Sequence, residues 1–162
     1  MYNYNYGNPS TAESFFTTAS AITVILIIFL IIIIIAAAIF LLVSNCIIFK
    51  KAGEKSWKGI IPFYNIWIET KFSGLAWWWY PIFIGLTIMT VEFKEASSAI
   101  GMLLLLVEFN LNYNIAKKFG KSNGFALLCT ILPIIGLPIL AFGKAEYNKD
   151  AKVDENGIFS VK

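Results

Sequence analysis

One apolar run without charged residues, between residues 15 and 49, dominates the hydropathy pattern of the chain. About 20 apolar residues are enough for a helix to cross the hydrocarbon of a bilayer, so this run exceeds the length of one crossing. Its centre, residues 31–38, has no polar side chain, and the run ends at Lys50 and Lys51. The pattern predicts a long transmembrane helix over about residues 21–49.

Two shorter apolar blocks predict a second crossing over about residues 77–93 and a third over about residues 97–116. The charged turn between them, residues 92–95, is expected to lie outside, on the face of the membrane opposite residues 50–75. The second of these blocks is followed by two lysines and then Gly120, which are typical of the end of a helix. The sequence thus predicts an all-α integral membrane protein with three transmembrane helices.

The last apolar block, residues 124–142, contains Pro133, Gly136 and Pro138 and is expected to break as a helix. It either crosses the membrane once with a kink, or enters and returns as a hairpin. The hairpin is favoured because it keeps the lysines that follow the block on the same side as most other lysines. Protein must then cover its irregular tip, since lipid cannot satisfy free backbone groups.

Residues 51–75 are predicted to form an interfacial segment with an amphipathic helix that begins near Pro62. Within it Phe63, Ile66, Trp67 and Thr70 follow helical spacing along one face. Indole rings prefer the boundary between headgroups and water, so the five tryptophans of this region are expected to anchor one membrane face. They are Trp57, Trp67, Trp77, Trp78 and Trp79. A cation–π ligand cage is the alternative for these rings.

Lysine placement predicts the orientation. The first 49 residues contain no lysine, whereas several follow the first helix at once. Lysines favour the cytoplasmic side, so the N-terminus is expected outside and residues 50–75 inside a bacterial cytoplasmic membrane. A signal peptide has a positive leader and a short apolar region, so the first helix is interpreted as a retained anchor.

Hydrophobic residues make up 58% of the chain and charged residues 14%, which fits one membrane domain over residues 15–147. Residues 1–14 are expected to be a disordered polar leader, and residues 148–162 a flexible polar tail. The bilayer is the first expected partner.

Several chemistries are excluded by composition. The chain has no histidine, and all its basic residues are lysines. Imidazole bases are therefore absent, and nucleic-acid recognition, which relies on arginine, is disfavoured. Cys46 and Cys129 lie in apolar stretches with no other ligand at metal spacing. No catalytic residue, metal site or cofactor is expected, and the chain is interpreted as a non-enzyme.

Glu108 carries the sharpest functional hypothesis, because an ionisable residue deep in a transmembrane helix is costly and suggests a site. Asn112 lies one turn on along the same face, while Asn110 and Asn114 lie on nearly the opposite face. These four residues are predicted to form an intramembrane polar cluster. It either holds a proton or cation, or joins neighbouring helices by hydrogen bonds.

Spaced motifs between about residues 50 and 147 resemble an uncharacterised family of small bacterial multi-pass membrane proteins. They are residues 51–53, 57–65, 77–79, 116–121 and 142–147. Motif positions expected to shape the fold are Pro62, Tyr64, Asn65, Phe119, Gly120, Lys121, Phe142 and Gly143. The same module precedes the protease domain of some bacterial type I signal peptidases. This chain is not expected to be a peptidase, because only a short tail follows Tyr147.

The resemblance implies a docking or substrate-handling role. The leading hypothesis is a scaffold or accessory subunit of a membrane assembly, with another membrane protein or a second copy as partner. The alternative is a small oligomeric transporter or channel that uses the carboxylate of Glu108. The transported solute and the oligomeric state stay open at this point.

Overall fold

The computed structural model describes residues 9–160, and the side chains from residue 16 onward except that of residue 17. This part of the chain is all-helical, with no strand. Its helices are α1 (Pro9–Lys51), α2 (Tyr64–Ser73), α3 (Trp79–Glu92), α4 (Ser97–Lys118), α5 (Asn123–Ile131) and α6 (Pro133–Phe142). Short 3-10 turns cover Ser56–Gly59, Lys94–Ala96 and Gly157–Phe159. Most of the predicted leader lies outside the described residues, and α1 already begins at Pro9.

Two helical stretches are long and apolar enough to span a membrane, Thr18–Lys51 and Lys94–Lys118. They correspond to the first and third predicted crossings. The second predicted crossing forms α3, which has 14 residues and falls short of that length. The prediction of an all-helical chain is thus confirmed, with two candidate spans where three crossings were expected.

The chain divides into two compact units, residues 1–39 and residues 40–162. In the first unit, the large apolar side chains from Ile22 to Ile39 are exposed all around the helix. A helix that is apolar on every side is typical of contact with lipid.

The second unit has its core where the ends of α1, α2 and α4 meet. Phe49 is fully buried and packs edge-to-face on Phe72, with ring centroids 5.3 Å apart. Tyr147 packs on Phe119 with centroids 5.5 Å apart. Helix α4 contacts α2, α3 and α5, which makes it the central helix of this unit.

Helices α5 and α6 form a hairpin. The backbone breaks at Leu132, and Gly136 then lies so close to α5 that an added Cβ would be 2.7 Å from Cys129 Cα. Lys51, at the end of α1, donates hydrogen bonds to carbonyl oxygens at and just beyond the end of α6. Tyr147, which follows α6, packs on Phe119 just beyond the end of α4. Helix α6 therefore packs back against α5 after the break.

The described part of the C-terminal segment, residues 149–160, packs on Trp79 at the start of α3 and on α4. Asn114 donates to the Asp154 carbonyl at 2.8 Å. Asn110 accepts from the Ile158 amide at 2.8 Å, and Gly157 is buried against it. Buried amides on α4 replace water as partners for this backbone, which holds a polar segment in place.

Candidate functional site

A cavity of about 180 Å³ lies in the second unit and is lined by residues from all six helices. Most of its wall is apolar, and five polar side chains interrupt it. They form what we call the carboxyl–amide cluster: Asn45, Asn65, Glu69, Glu108 and Asn112. A mostly apolar pocket with a few convergent polar groups is the usual form of a small-ligand site.

Helical spacing explains four of these positions. Asn65 and Glu69 lie four residues apart on α2, and Glu108 and Asn112 lie four residues apart on α4. Residues four apart share one face of a helix. Helices α2 and α4 pack against each other and so bring two acid–amide pairs to the same cavity. Asn45 reaches it from the last part of α1.

The two carboxyl groups have no counter-charge in the cavity. No lysine lines it, and among the described residues neither Glu69 nor Glu108 takes part in a salt bridge or a side-chain hydrogen bond. Burial raises the pKa of Glu69 to about 8, and the negative charge of Glu108 contributes to the rise. At neutral pH the cavity therefore favours retention of a proton on Glu69.

The amides supply further polar atoms. Asn112 donates from Nδ2 to the Thr130 hydroxyl at 3.0 Å, which leaves its carbonyl oxygen for a ligand. Asn65 accepts from the Ile66 amide through Oδ1 at 2.8 Å, which leaves its Nδ2 as a donor. Carboxyl and amide oxygens are the ligands that protons, alkali ions and other hard cations prefer. The described residues contain no group of three or more Cys, Asp or Glu that could hold a metal ion.

The model of a family of unknown function, DUF5684, matches residues 57–150, which is more than half of the chain. The chain belongs to the DUF5684 family. This confirms the prediction of an uncharacterised family. No curated protein matches the chain, and no solved structure matches it. The DUF5684 match includes four residues of the carboxyl–amide cluster, and Asn45 lies ahead of it.

The predicted intramembrane cluster divides into two sets in this DUF5684 chain. Glu108 and Asn112 line the cavity, as a shared helical face requires. Asn110 and Asn114 are fully buried on the other side of α4 and bind the backbone of residues 154–158. Their role is to hold the C-terminal segment, so the structure does not join all four residues in one site.

Sequence reasoning missed Glu69 as the partner of Glu108. A signal was present, because Asn65 and Glu69 repeat the four-residue acid–amide spacing of Glu108 and Asn112. The predicted apolar face of the segment, which includes Phe63 and Trp67, does not include Glu69. Phe63 lies ahead of α2 with a φ of 64° and is exposed.

The five tryptophans do not form one exposed set. Trp57, Trp77 and Trp78 are exposed. Trp67 packs edge-to-face on Tyr80, and Trp79 stacks on Phe159 with centroids 5.3 Å apart. Two of the predicted anchors therefore support the packing of the second unit.

The motif positions of the DUF5684 region have visible structural roles. Pro62 lies in the turn before α2, Tyr64 begins α2, and Asn65 lines the cavity. Gly120 follows the C-cap of α4 and has a φ of 65°, a conformation that favours glycine. The remaining positions make packing or hydrogen-bond contacts: Phe119 with Tyr147, Lys121 with the Phe125 ring, Phe142 with Phe40, and the Gly143 carbonyl with Lys51.

Proposed function

We propose that this chain is a non-enzymatic integral membrane protein that binds a small cation between the carboxyl groups of Glu69 and Glu108. The observation that carries the proposal is the cavity itself, with two carboxyl groups, three amides and no lysine in its wall. A hydrated proton, an alkali ion or a small ammonium ion has the chemistry that this wall recognises.

Electrostatics supports a cation in preference to a structural hydrogen bond. A carboxylate taken out of water without a partner is costly, and a second one nearby increases that cost. A bound cation or proton removes the cost directly. An interhelical hydrogen bond would join one of these carboxyl groups to a donor on a facing helix, and among the described residues neither Glu69 nor Glu108 forms such a bond.

We propose three crossings, formed by α1, by α3 together with its flanking residues, and by α4. The hairpin of α5 and α6 enters the membrane beside α4 and returns. Lysines near the ends of α1 and α4 support a cytoplasmic location for those ends. The N-terminus is then outside a bacterial cytoplasmic membrane, in a chain that crosses several times.

A scaffold or accessory role is the second candidate. It is supported by the apolar surface of α1 before residue 40, which offers a helix to another membrane protein or to a second copy. The resemblance to a module that precedes a signal peptidase domain agrees with such a role. The sequence favoured the scaffold over a cation-binding role. The pair of carboxyl groups in one cavity is the reason that cation binding is proposed first here.

Cation binding to purified protein in mild detergent tests the proposal. Na⁺, K⁺, Mg²⁺ and methylammonium are titrated separately against thermal unfolding at fixed ionic strength. We expect at least one of them to raise the Tm of the wild type. Glu69→Gln and Glu108→Gln should abolish that rise, because each removes one carboxyl group but keeps the shape of the side chain.

Glu95→Gln is the matched control, since Glu95 is exposed between α3 and α4. It should respond to the cation as the wild type does. Equal cation-dependent stabilisation in all four proteins would refute the site. Loss of a co-purifying membrane protein in the glutamine variants, without any cation effect in the wild type, would favour the scaffold.

A further inference from the structure

A second cavity, of about 520 Å³, lies where the ends of α1, α2 and α4 meet the segment after α6. We call it the basic cavity, because its wall contains Lys71, Lys118 and Lys149 and a single acidic residue, Glu54. Glu54 already forms a salt bridge with Lys58, which lies outside the wall. The charge that faces the basic cavity is therefore positive.

Lys118 is the informative residue of this wall. Its side chain is 7% exposed, and Nζ donates to the carbonyl oxygens of Lys149 at 2.7 Å and Ala151 at 2.9 Å. An ammonium group has three N–H donors, so one is left for the cavity. Among the described residues no carboxylate pairs with Lys118. A buried ammonium group is costly without a negatively charged partner, so the unused donor of Lys118 favours an anion as its third partner.

Lys51 provides the internal comparison. Its Nζ donates to three carbonyl oxygens, those of Leu140, Gly143 and Ala145, at 2.7 to 3.1 Å. All three of its donors are used, and it does not line the basic cavity. Lys118 uses only two of its three N–H donors on carbonyl oxygens. Its third donor is available at the basic cavity, which two further lysines line.

The position of the basic cavity indicates the source of the anion. The two candidate spans end at Lys51 and Lys118, so the cavity lies at the end of the apolar region. Lipid headgroups occupy this level of a membrane, and basic pockets between helices bind anionic headgroups there. We propose that the basic cavity binds the phosphate group of an anionic phospholipid, with Lys71, Lys118 and Lys149 as its cationic contacts.

The test is lipid binding to delipidated protein in detergent, measured by native mass spectrometry and by Tm. Short-chain phosphatidylglycerol is compared with short-chain phosphatidylcholine and with inorganic phosphate. We expect phosphatidylglycerol to bind and to raise the Tm, and phosphatidylcholine to do neither. Lys71→Gln/Lys149→Gln should weaken phosphatidylglycerol binding by about tenfold or more, because each lysine near an anionic headgroup contributes roughly fivefold.

Lys55→Gln/Lys144→Gln is the control, because both lysines are exposed, neither lines the basic cavity, and the change in net charge is equal. It should bind phosphatidylglycerol nearly as the wild type does. Both altered lysines of the test pair are also exposed, so this pair should fold. Lys118→Gln is a further variant, and it should lose binding even where its Tm without lipid is lower.

Three outcomes would overturn the proposal. One is an equal loss of binding in the two double variants, which would indicate a general charge effect. Another is no preference for phosphatidylglycerol over phosphatidylcholine in the wild type. The third is stabilisation by inorganic phosphate that phosphatidylglycerol does not exceed, which would assign the cavity to a soluble anion in place of a lipid.

Discussion

At the scale of single residues, the chain places ionisable groups where each must find a specific partner. Glu69 shares a cavity with Glu108, and Lys51 is held by three carbonyl oxygens. Lys118 has two such contacts and an open donor toward the basic cavity. Because these groups are surrounded by apolar helices, substitution of one charged side chain by a neutral one of similar size should change the stability of the protein measurably.

The pH dependence of stability should report on Glu69. An unfolded glutamate has a pKa near 4.5, and the folded protein raises the pKa of Glu69 to about 8 through burial and the charge of Glu108. Between these values the folded state keeps a proton that the unfolded state has lost. Stability should thus fall as pH rises from about 4.5 to about 8, and this contribution should level off above that range.

Glu69→Gln should flatten this part of the pH profile, because glutamine does not ionise. Tm measured in detergent from pH 4.5 to 9 checks the result, with Glu95→Gln as the exposed control. A Glu69→Gln profile parallel to that of the wild type would contradict the assignment.

Lys51→Met should lower the free energy of unfolding by about 2 to 3 kcal/mol, since it leaves three carbonyl oxygens at the end of the hairpin without their donor. Methionine preserves most of the apolar length of the side chain. Lys50→Met is the control, because the neighbouring Lys50 is exposed. Unfolding curves in mixed detergent measure both variants, and equal effects would show that the carbonyl contacts of Lys51 contribute little.

At the scale of elements, the sequence identified most helices but not how they pack. The last apolar block is one example. Its prolines and glycine predicted a break, and α5 and α6 do meet at Leu132. The direction that α6 takes after the break depends on contacts with Lys51 and Cys129, which lie outside the α6 sequence. Local propensity places a break but does not set the direction that the chain takes after it.

Gly136→Ala should destabilise the hairpin by about 1 to 3 kcal/mol, the usual cost of overpacking. The added Cβ would lie 2.7 Å from Cys129 Cα, and a backbone atom cannot move away as a side chain can. Gly85→Ala and Gly101→Ala are matched helical controls, because an added Cβ there meets nothing within 4 Å. They should be neutral or slightly stabilising by helix propensity. Similar unfolding free energies for all three variants would contradict close packing of α5 on α6.

At the scale of the whole molecule, the expected orientation follows from lysines that end α1 and α4. Single cysteines at positions 55, 95 and 144 test it, in a chain whose Cys46 and Cys129 are replaced by serine. An impermeant maleimide added to intact cells should label position 95 alone, and the other two should react only after lysis. Labelling of position 55 in intact cells would show that the orientation is the reverse of the expected one. Labelling of position 144 would show that the last apolar block crosses the membrane.

The apolar run between residues 15 and 49, the shorter blocks and the C-terminal ends of α1 and α4 follow from sequence alone, because each depends on residues close together in the chain. The family could also be recognised from spaced motifs. The tertiary structure alone brought Glu69 to Glu108 and bound Asn110 and Asn114 to the C-terminal segment. Those pairings join residues about 40 positions apart or more, and only the packing of helices determines which faces meet.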